Sequence, residues 1–229
     1  MNANRGLILV SVVIPLFNEE ENIKEVYYRT EKVLTALNKN YEIIFIDDGS
    51  KDKTCDIIKD IRAKNVCVKI IKLAKNHGQH YALLAGFELA KGDIIISMDG
   101  DLQNDPYDIP KFLEKIEENF DLVNGWRYER KDPLGRKLIS KISNWLIRKK
   151  TGIALHDYGC AFIAIKKELI NKLKGYGTNA RFIKPLLVRL ADSPVEIKIN
   201  HNQRKFGISK YSLFKVIRVG LDFIFNFKV

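Results

Sequence analysis

The feature that most constrains this chain is a series of short apolar runs rich in Ile and Val, separated by longer amphipathic stretches. The runs Leu7–Ile14, Glu42–Ile46, Val66–Leu73, Asp93–Met98 and Leu122–Asn124 are nearly continuous rather than alternating. That is the pattern of strands covered on both faces. Helical spacing fills the intervals at 19–38, 53–63, 79–90 and 106–118. Asp52 can cap the second helix, Asp105-Pro106 is a strong start for the fourth, and Gly92 ends the third. Strands alternating with helices of this length predict an α/β fold with a mostly parallel central sheet flanked by helices and right-handed crossovers.

The second half is less regular. Gly125–Pro133 reads as a loop leaving a strand, followed by helix at 134–150 with Leu138, Ile142, Trp145 and Leu146 on one face. A strand at Tyr158–Ile165, helices at Lys166–Leu173 and Arg181–Ala191, and a strand at Val195–Ile199 come next. Ser209–Phe227 is helical by period, with Tyr211, Phe214, Ile217, Leu221 and Phe225 in an aromatic-rich stripe. The expected organisation is one catalytic domain over 1–210, with halves 1–126 and 127–210. An amphipathic C-terminal helix follows at 211–229.

Composition narrows the class. The 229 residues are 46% hydrophobic with only 6 Pro, which excludes disorder and collagen. Cys55, Cys67 and Cys160 lack metal-ligand spacing and cannot all pair, so reduced, mostly buried thiols are expected. No secretory segment opens the chain, and no run of 18 apolar residues exists to span a bilayer. Charge is split. Residues 1–126 hold 16 Lys/Arg against 21 Asp/Glu, whereas residues 127–229 hold 23 against 7. The basic half is suited to an anionic partner: nucleic acid, anionic lipid or a phosphorylated substrate. Nucleic acid is the poorest of these, because no aromatic–basic repeat or zinc finger accompanies the charge.

Ligands of open α/β sheets bind beyond the carboxyl ends of the strands. Those ends carry Pro15-Leu-Phe-Asn-Glu-Glu, Asp47-Asp-Gly-Ser, Lys75-Asn-His-Gly-Gln-His80 and Asp99-Gly-Asp-Leu-Gln103, which together make one polar crevice. The first turn lacks the glycines of a dinucleotide site, and no Walker sequence occurs. Diphosphate charge must then be met differently. Asp99 and Asp101, just past a buried strand, can hold a hard divalent cation such as Mg²⁺ or Mn²⁺, which takes oxygen ligands and shares them with phosphates. Gln103 can bind a ligand or stabilise the turn. Asp47 and Asp48 can accept from a base or ribose; alternatively one makes an Asx-turn with Gly49 and Ser50 while the other faces water. His77 and His80 can touch one ligand or serve local hydrogen bonds, while His156 and His201 read as ordinary.

The segments Val12–Glu19, Ile46–Ser50, Asn76–His80, Ala85-Gly86 and Asp99–Gln103 resemble the family 2 inverting glycosyltransferases of the nucleotide-diphospho-sugar (GT-A) fold. The resemblance implies a nucleotide-sugar donor whose base and ribose lie against Pro15, Asn18, Glu19, Asp47 and Asp48, with His77, Gly78 and Asp99 on the same donor side. It implies a divalent metal held by Asp99, Asp101 and Gln103. Thr151–Cys160 and Arg204–Tyr211 are similar to the branch that loads sugars onto polyprenyl phosphates. That branch commonly carries transmembrane helices after this point. The implied acceptor is a polyprenyl phosphate at the cytoplasmic membrane face, with the chain peripheral and a homo-oligomer compatible.

In that reading Arg127, Arg130, Arg204 and Lys210 are candidate phosphate contacts. Asp157 orients the acceptor or sugar, or else binds backbone N–H groups in a turn before Gly159. The 134–150 helix is either an interfacial helix anchored by Trp145 or a core-packed helix with a solvated basic face. A family 2 transferase acting on a hydroxyl of a polysaccharide, lipid or protein is the alternative. Such a transfer needs a base, whereas a phosphate monoester with a second pKa of about 6 does not.

Overall fold

The computed structural model describes residues 8–128, 134–173, 176, 182–203, 222, 223 and 227, without the side chains of 134–139. In chain order the elements are β1 (Leu9–Leu16), α1 (Ile23–Ala36), β2 (Asn40–Asp47), α2 (Thr54–Lys64), β3 (Val68–Lys72), α3 (Gln79–Leu89) and β4 (Ile94–Ser97). A 3₁₀ turn at Pro106–Asp108 then leads into α4 (Ile109–Glu117) and β5 (Leu122–Arg127). They are followed by α5 (Leu134–Thr151), β6 (Ile163–Lys166), α6 (Lys167–Leu173), α7 (Ile183–Leu190) and β7 (Pro194–Ile199).

Among the described residues the strands form one seven-stranded sheet in the order β3-β2-β1-β4-β6-β5-β7. Neighbouring strands pair in parallel except at β6, which runs against β4 and β5. The continuous apolar runs have their expected cause. Val12, Ile14, Ile43, Phe45 and Ile96 pack with Ile23, Leu34, Ile58 and Phe112 on one face, while Val13, Ile44, Ile46 and Ile95 pack with Phe87, Leu169, Leu186 and Leu187 on the other. A sheet covered twice cannot show the alternation of a half-exposed one.

Several boundaries differ from the sequence expectation. β1 runs through Pro15, because its ladder with β4 ends at Val13↔Ser97 and no partner there needs the missing N–H. Asp52 accepts from the Thr54 N–H at 3.0 Å but stands one residue before the α2 cap, Lys53, while Asp105 accepts from the Tyr107 N–H at 3.2 Å and caps the 3₁₀ turn rather than α4, which starts at Ile109. Gly92 lies beyond the α3 cap at Ala90 and does not end the helix by a left-handed turn. It is needed for closeness: a Cβ would sit 2.6 Å from Ser11 Oγ and 2.7 Å from Ser11 N. The expected loop after Asn124 begins three residues late, because β7 pairs Trp126 with Lys198 and Arg127 with Ile199. The expected strand at Tyr158–Ile165 shortens to β6, since the residues before Ile163 are folded into a turn.

On α5, Ile147 packs against the core while Ile142 and Trp145 are 52% and 58% exposed. They therefore do not form a core face. Cys55 and Cys160 are buried and all three thiols are free, as expected. Of the expected C-terminal helix, Phe223 and Phe227 are described. Their rings stack at 4.5 Å and meet Phe182 edge-on. Apart from Asp222, the rest of 204–229, including Arg204, Lys210 and the stripe from Tyr211 to Phe225, lies outside the described residues, as does Arg130. Among the described residues no helix is long and apolar enough to cross a membrane.

Candidate active site

The crevice starts where β1 and β2 end side by side. Asn18 has a φ of 52°, and its N–H donates to Ser50 Oγ at 2.9 Å while its Oδ1 accepts from the Lys51 N–H at 2.8 Å. The Glu19 N–H donates to Thr54 Oγ1 at 2.8 Å, and the Glu19 carboxylate accepts from Asn22 Nδ2 at 2.7 Å. Fully buried Asp47 accepts from the Ser50 N–H, three residues on, at 3.0 Å, rather than closing the expected Asx-turn two residues on. Asp48 does not face water. Its two oxygens each accept a 2.8 Å bond, from the His77 and Gly78 N–H groups, and so fasten the loop after β3 to the end of β2. Asn18 and Asp48 thus tie three loops together into one wall of the crevice.

The carboxylate loop follows β4. A side chain at Gly100 would run into Leu16 Cδ2, and Leu102 has a φ of 61°. This packing lets the loop turn sharply against the end of β1. Asp99 is half-buried and accepts from Gln79 Nε2 at 2.5 Å, which links the loop to the first residue of α3. Asp101 is 9% exposed and accepts from the Gln103 N–H at 3.1 Å. The chain leaving β7 lies along the same loop: Asn104 bridges His201, and the Asn202 N–H donates to the Gln103 carbonyl at 2.9 Å. His201, read as ordinary, therefore pairs with the end of the carboxylate loop.

The third wall is the turn before β6. Arg127 ends β5 and donates from Nε and Nη2 to the two oxygens of Asp157 at 2.7 and 2.8 Å. The Asp157 side chain is 3% exposed and Arg127 15%. Burial alone would pull the Arg127 guanidinium down, but the bidentate carboxylate outweighs it and holds the group above its ordinary value, with the charge of Asp99 adding to it. Asp157 also accepts from the Gly159 N–H at 3.2 Å. Lys184 donates to the carbonyls of Asp157 and Cys160, and burial lowers its ammonium. Trp126 stacks on His156 at 4.1 Å, and Lys198 lies 3.9 Å over the Tyr128 ring.

The structure thus brings Pro15, Asn18, Glu19, Asp47, Asp48, His77, Gly78, Asp99, Asp101, Gln103, Arg127 and Asp157 to one edge of the sheet. Arg127 is engaged with Asp157. Gln79, Lys184 and Glu196 were missed by sequence reasoning. Gln79 carried a signal, since it stands in the Asn76–His80 segment at a helix start. Glu196 carried none, because its strand did not reveal which face is buried.

The donor set at Asp99, Asp101 and Gln103 is oxygen-only and suits Mg²⁺ or Mn²⁺. Among the described residues no group of three or more His, Cys, Asp or Glu could hold a metal by itself. Carboxylates such as Asp99 and Asp101 are hard oxygen ligands of the kind such an ion shares with substrate phosphates, so their chemistry fits it.

Comparison with known proteins identifies the family. The family model described as Glycosyl transferase family 2 matches residues 11–174. An undecaprenyl-phosphate 4-deoxy-4-formamido-L-arabinose transferase of Pseudomonas paraeruginosa is 36% identical over 217 residues, 94% of this chain and 64% of that protein. Its namesake from Klebsiella pneumoniae is 39% identical over 216 residues, 94% of this chain and 66% of that protein. The chain therefore spans just under two thirds of these curated relatives. Among solved structures, glucosyl-3-phosphoglycerate synthase from Mycobacterium tuberculosis in complex with phosphoglyceric acid superposes with a TM-score of 0.63 at 20% identity, over 88% of this chain and 73% of that one. The same enzyme in complex with Mn²⁺, uridine diphosphate and glucosyl-3-phosphoglycerate gives the same values. That likeness supports the expected GT-A fold. With the family model covering most of its length, the chain belongs to glycosyl transferase family 2.

Proposed function

We propose that this chain moves a hexose-type sugar from a nucleotide-diphosphate sugar to a polyprenyl phosphate at a membrane surface, on its cytoplasmic face, inverting the anomeric carbon. The observation that carries this reading is the extent of the likeness to the undecaprenyl-phosphate transferases. It runs over 94% of the chain, through the acceptor half as well as the donor half.

Asp99, Asp101 and Gln103 would hold a divalent cation, which would supply charge for the departing diphosphate. The loops of Pro15–Glu19 and Asp47–Asp48, tied together by their own side chains, would receive base and ribose. An oxygen of the acceptor phosphate attacks the anomeric carbon, the bond from that carbon to the diphosphate oxygen breaks, and the nucleoside diphosphate leaves. A phosphate monoester is largely ionised near neutral pH, so it needs positioning and charge compensation rather than a base. The commitment of Asp157 to Arg127 and to the Gly159 N–H favours this over a hydroxyl acceptor, which would require a carboxylate poised to take a proton. Arg204 and Lys210 are proposed as acceptor-phosphate contacts.

The exposed face of α5 supports membrane attachment. Lys141, Ile142, Trp145, Arg148 and Lys149 are all exposed, and Lys149 lies 5.6 Å over the Trp145 ring. A basic helix with an aromatic and an aliphatic residue on its free face suits an anionic bilayer interface. The test is a matrix of sugar nucleotides against short-chain prenyl phosphates and prenols with Mg²⁺ or Mn²⁺, scored by mass spectrometry. Transfer confined to prenols or saccharides would replace the proposed acceptor.

A further inference from the structure

The acceptor-side turn is held from β7 by one buried carboxylate that the family reading does not use. Parallel register sets Glu196 opposite Asn124. The Glu196 side chain is 9% exposed and sits at the meeting point of four donors. Its Oε1 accepts from Asn124 Nδ2 at 2.8 Å and from the Asp157 N–H at 3.1 Å. Its Oε2 accepts from the His156 N–H at 2.6 Å and lies 2.9 Å from His156 Nδ1. Asn124 Nδ2 in turn reaches the Asp157 carbonyl at 3.1 Å. The backbone N–H groups of both His156 and Asp157 thus end on a single carboxylate, and the peptide between those residues fixes where the Asp157 side chain starts.

We infer that Glu196 is a positioning residue: it fixes the His156–Asp157 peptide so that Asp157 meets Arg127 in bidentate geometry at the crevice. A solvated strand residue would not collect four donors at 9% exposure, and burying a carboxylate is favourable only when its lone pairs are filled. Glu196 touches no reacting atom in this account. It acts through Asp157 and Arg127, and it also sets the imidazole of His156, whose other face is covered by Trp126 at 4.1 Å. The bond to Oε2 favours a proton on Nδ1 and leaves Nε2 as the acceptor in the neutral ring.

The inference rests on the acceptor-side reading above, so its test has one readout that needs no acceptor. Glu196→Gln and Glu196→Asp are made in the full chain and compared with the parent. The first readout is solvent exchange of the Arg127 Nε–H by NMR, together with the ring-nitrogen shifts of His156. Glu196→Gln is expected to speed that exchange by roughly tenfold or more, the loss of about one charged hydrogen bond, and to shift the His156 tautomer. Unchanged exchange and tautomer in a folded Glu196→Gln protein overturn the inference whatever the acceptor is. The second readout is kinetic. With prenyl phosphate, kcat/KM for the acceptor is expected to fall about tenfold or more, while uridine diphosphate binding with Mn²⁺ stays within about twofold. Glu196→Asp keeps the charge and is expected to recover part of the acceptor kinetics. Equal losses in nucleotide binding and acceptor kinetics would make Glu196 a general fold residue and overturn the inference. An inactive parent with an intact NMR effect would instead sink the polyprenyl-phosphate reading alone.

Discussion

Asp157→Asn removes the charge that Arg127 is built around, and the structure sets the size of the effect. The pair is almost wholly enclosed, with side-chain exposures of 3% and 15%, and its two bonds are 2.7 and 2.8 Å long. Removing one partner of a buried ion pair costs about 3–5 kcal/mol, because the remaining charge stays buried without compensation. Asn keeps one acceptor oxygen for Arg127 and fills the same volume, so the lower end, about 3 kcal/mol, is the expected loss. At roughly 2–4 °C per kcal/mol for a chain of this size, the melting temperature should drop by about 6–12 °C. The assay is thermal and urea unfolding of the parent, Asp157→Asn, Arg127→Met and the double variant. If the cost is the stranded guanidinium, the double variant should be more stable than Asp157→Asn alone, by about half the loss or more. A single variant within about 1 kcal/mol of the parent, or a double variant whose losses simply add, would refute this account of the pair.

Asp101→Asn removes one negative oxygen from the proposed metal shell, and turnover should fall by about 100-fold or more at limiting metal; near-normal rates would remove Asp101 from that shell. Glu42 is 5% exposed, and burial alone would raise its carboxyl, but bonds from Lys69, Ser11 and the Lys91 N–H outweigh it and hold it below its ordinary value of 4.5. A depressed carboxyl contributes stability that is present above the unfolded pKa and lost as pH falls through the folded one, so Glu42→Gln should flatten the acid limb of stability below about pH 5. An acid limb unchanged in that variant would refute the assignment. Ile142→Ser/Trp145→Ser should weaken co-sedimentation with anionic liposomes while leaving the melting temperature nearly unchanged, since both residues are exposed; undiminished binding would place the membrane contact elsewhere.

The sheet was legible because its inner strands are buried on both faces, and a nearly continuous run such as Ile43–Ile46 has few other uses in a chain with helical intervals. The crevice was legible for a related reason, since polar residues at successive strand ends must converge in a parallel sheet. What each polar residue does there was less legible. Asn18 and Asp48 bind neighbouring loops and Glu19 binds Asn22 in its own, and an Asp that fastens a loop has the same identity as one that receives a ribose. Residues 158–162 read as strand because Tyr158, Cys160 and Phe162 alternate with other residues; the turn held by the bonds of Asp157 and Glu196 overrides that period. Those bonds join residues about 30 to 40 positions apart, and only the β5–β7 register brings them together.

The central claim, sugar transfer to a phosphate, is tested most directly by following ³¹P NMR of a short prenyl phosphate incubated with the chain, a sugar nucleotide and Mg²⁺ or Mn²⁺. The account predicts that the acceptor's monoester resonance is replaced by a phosphodiester resonance, in step with equal release of nucleoside diphosphate. Nucleoside diphosphate release with the acceptor still a monoester, and the sugar found on a hydroxyl instead, would contradict it.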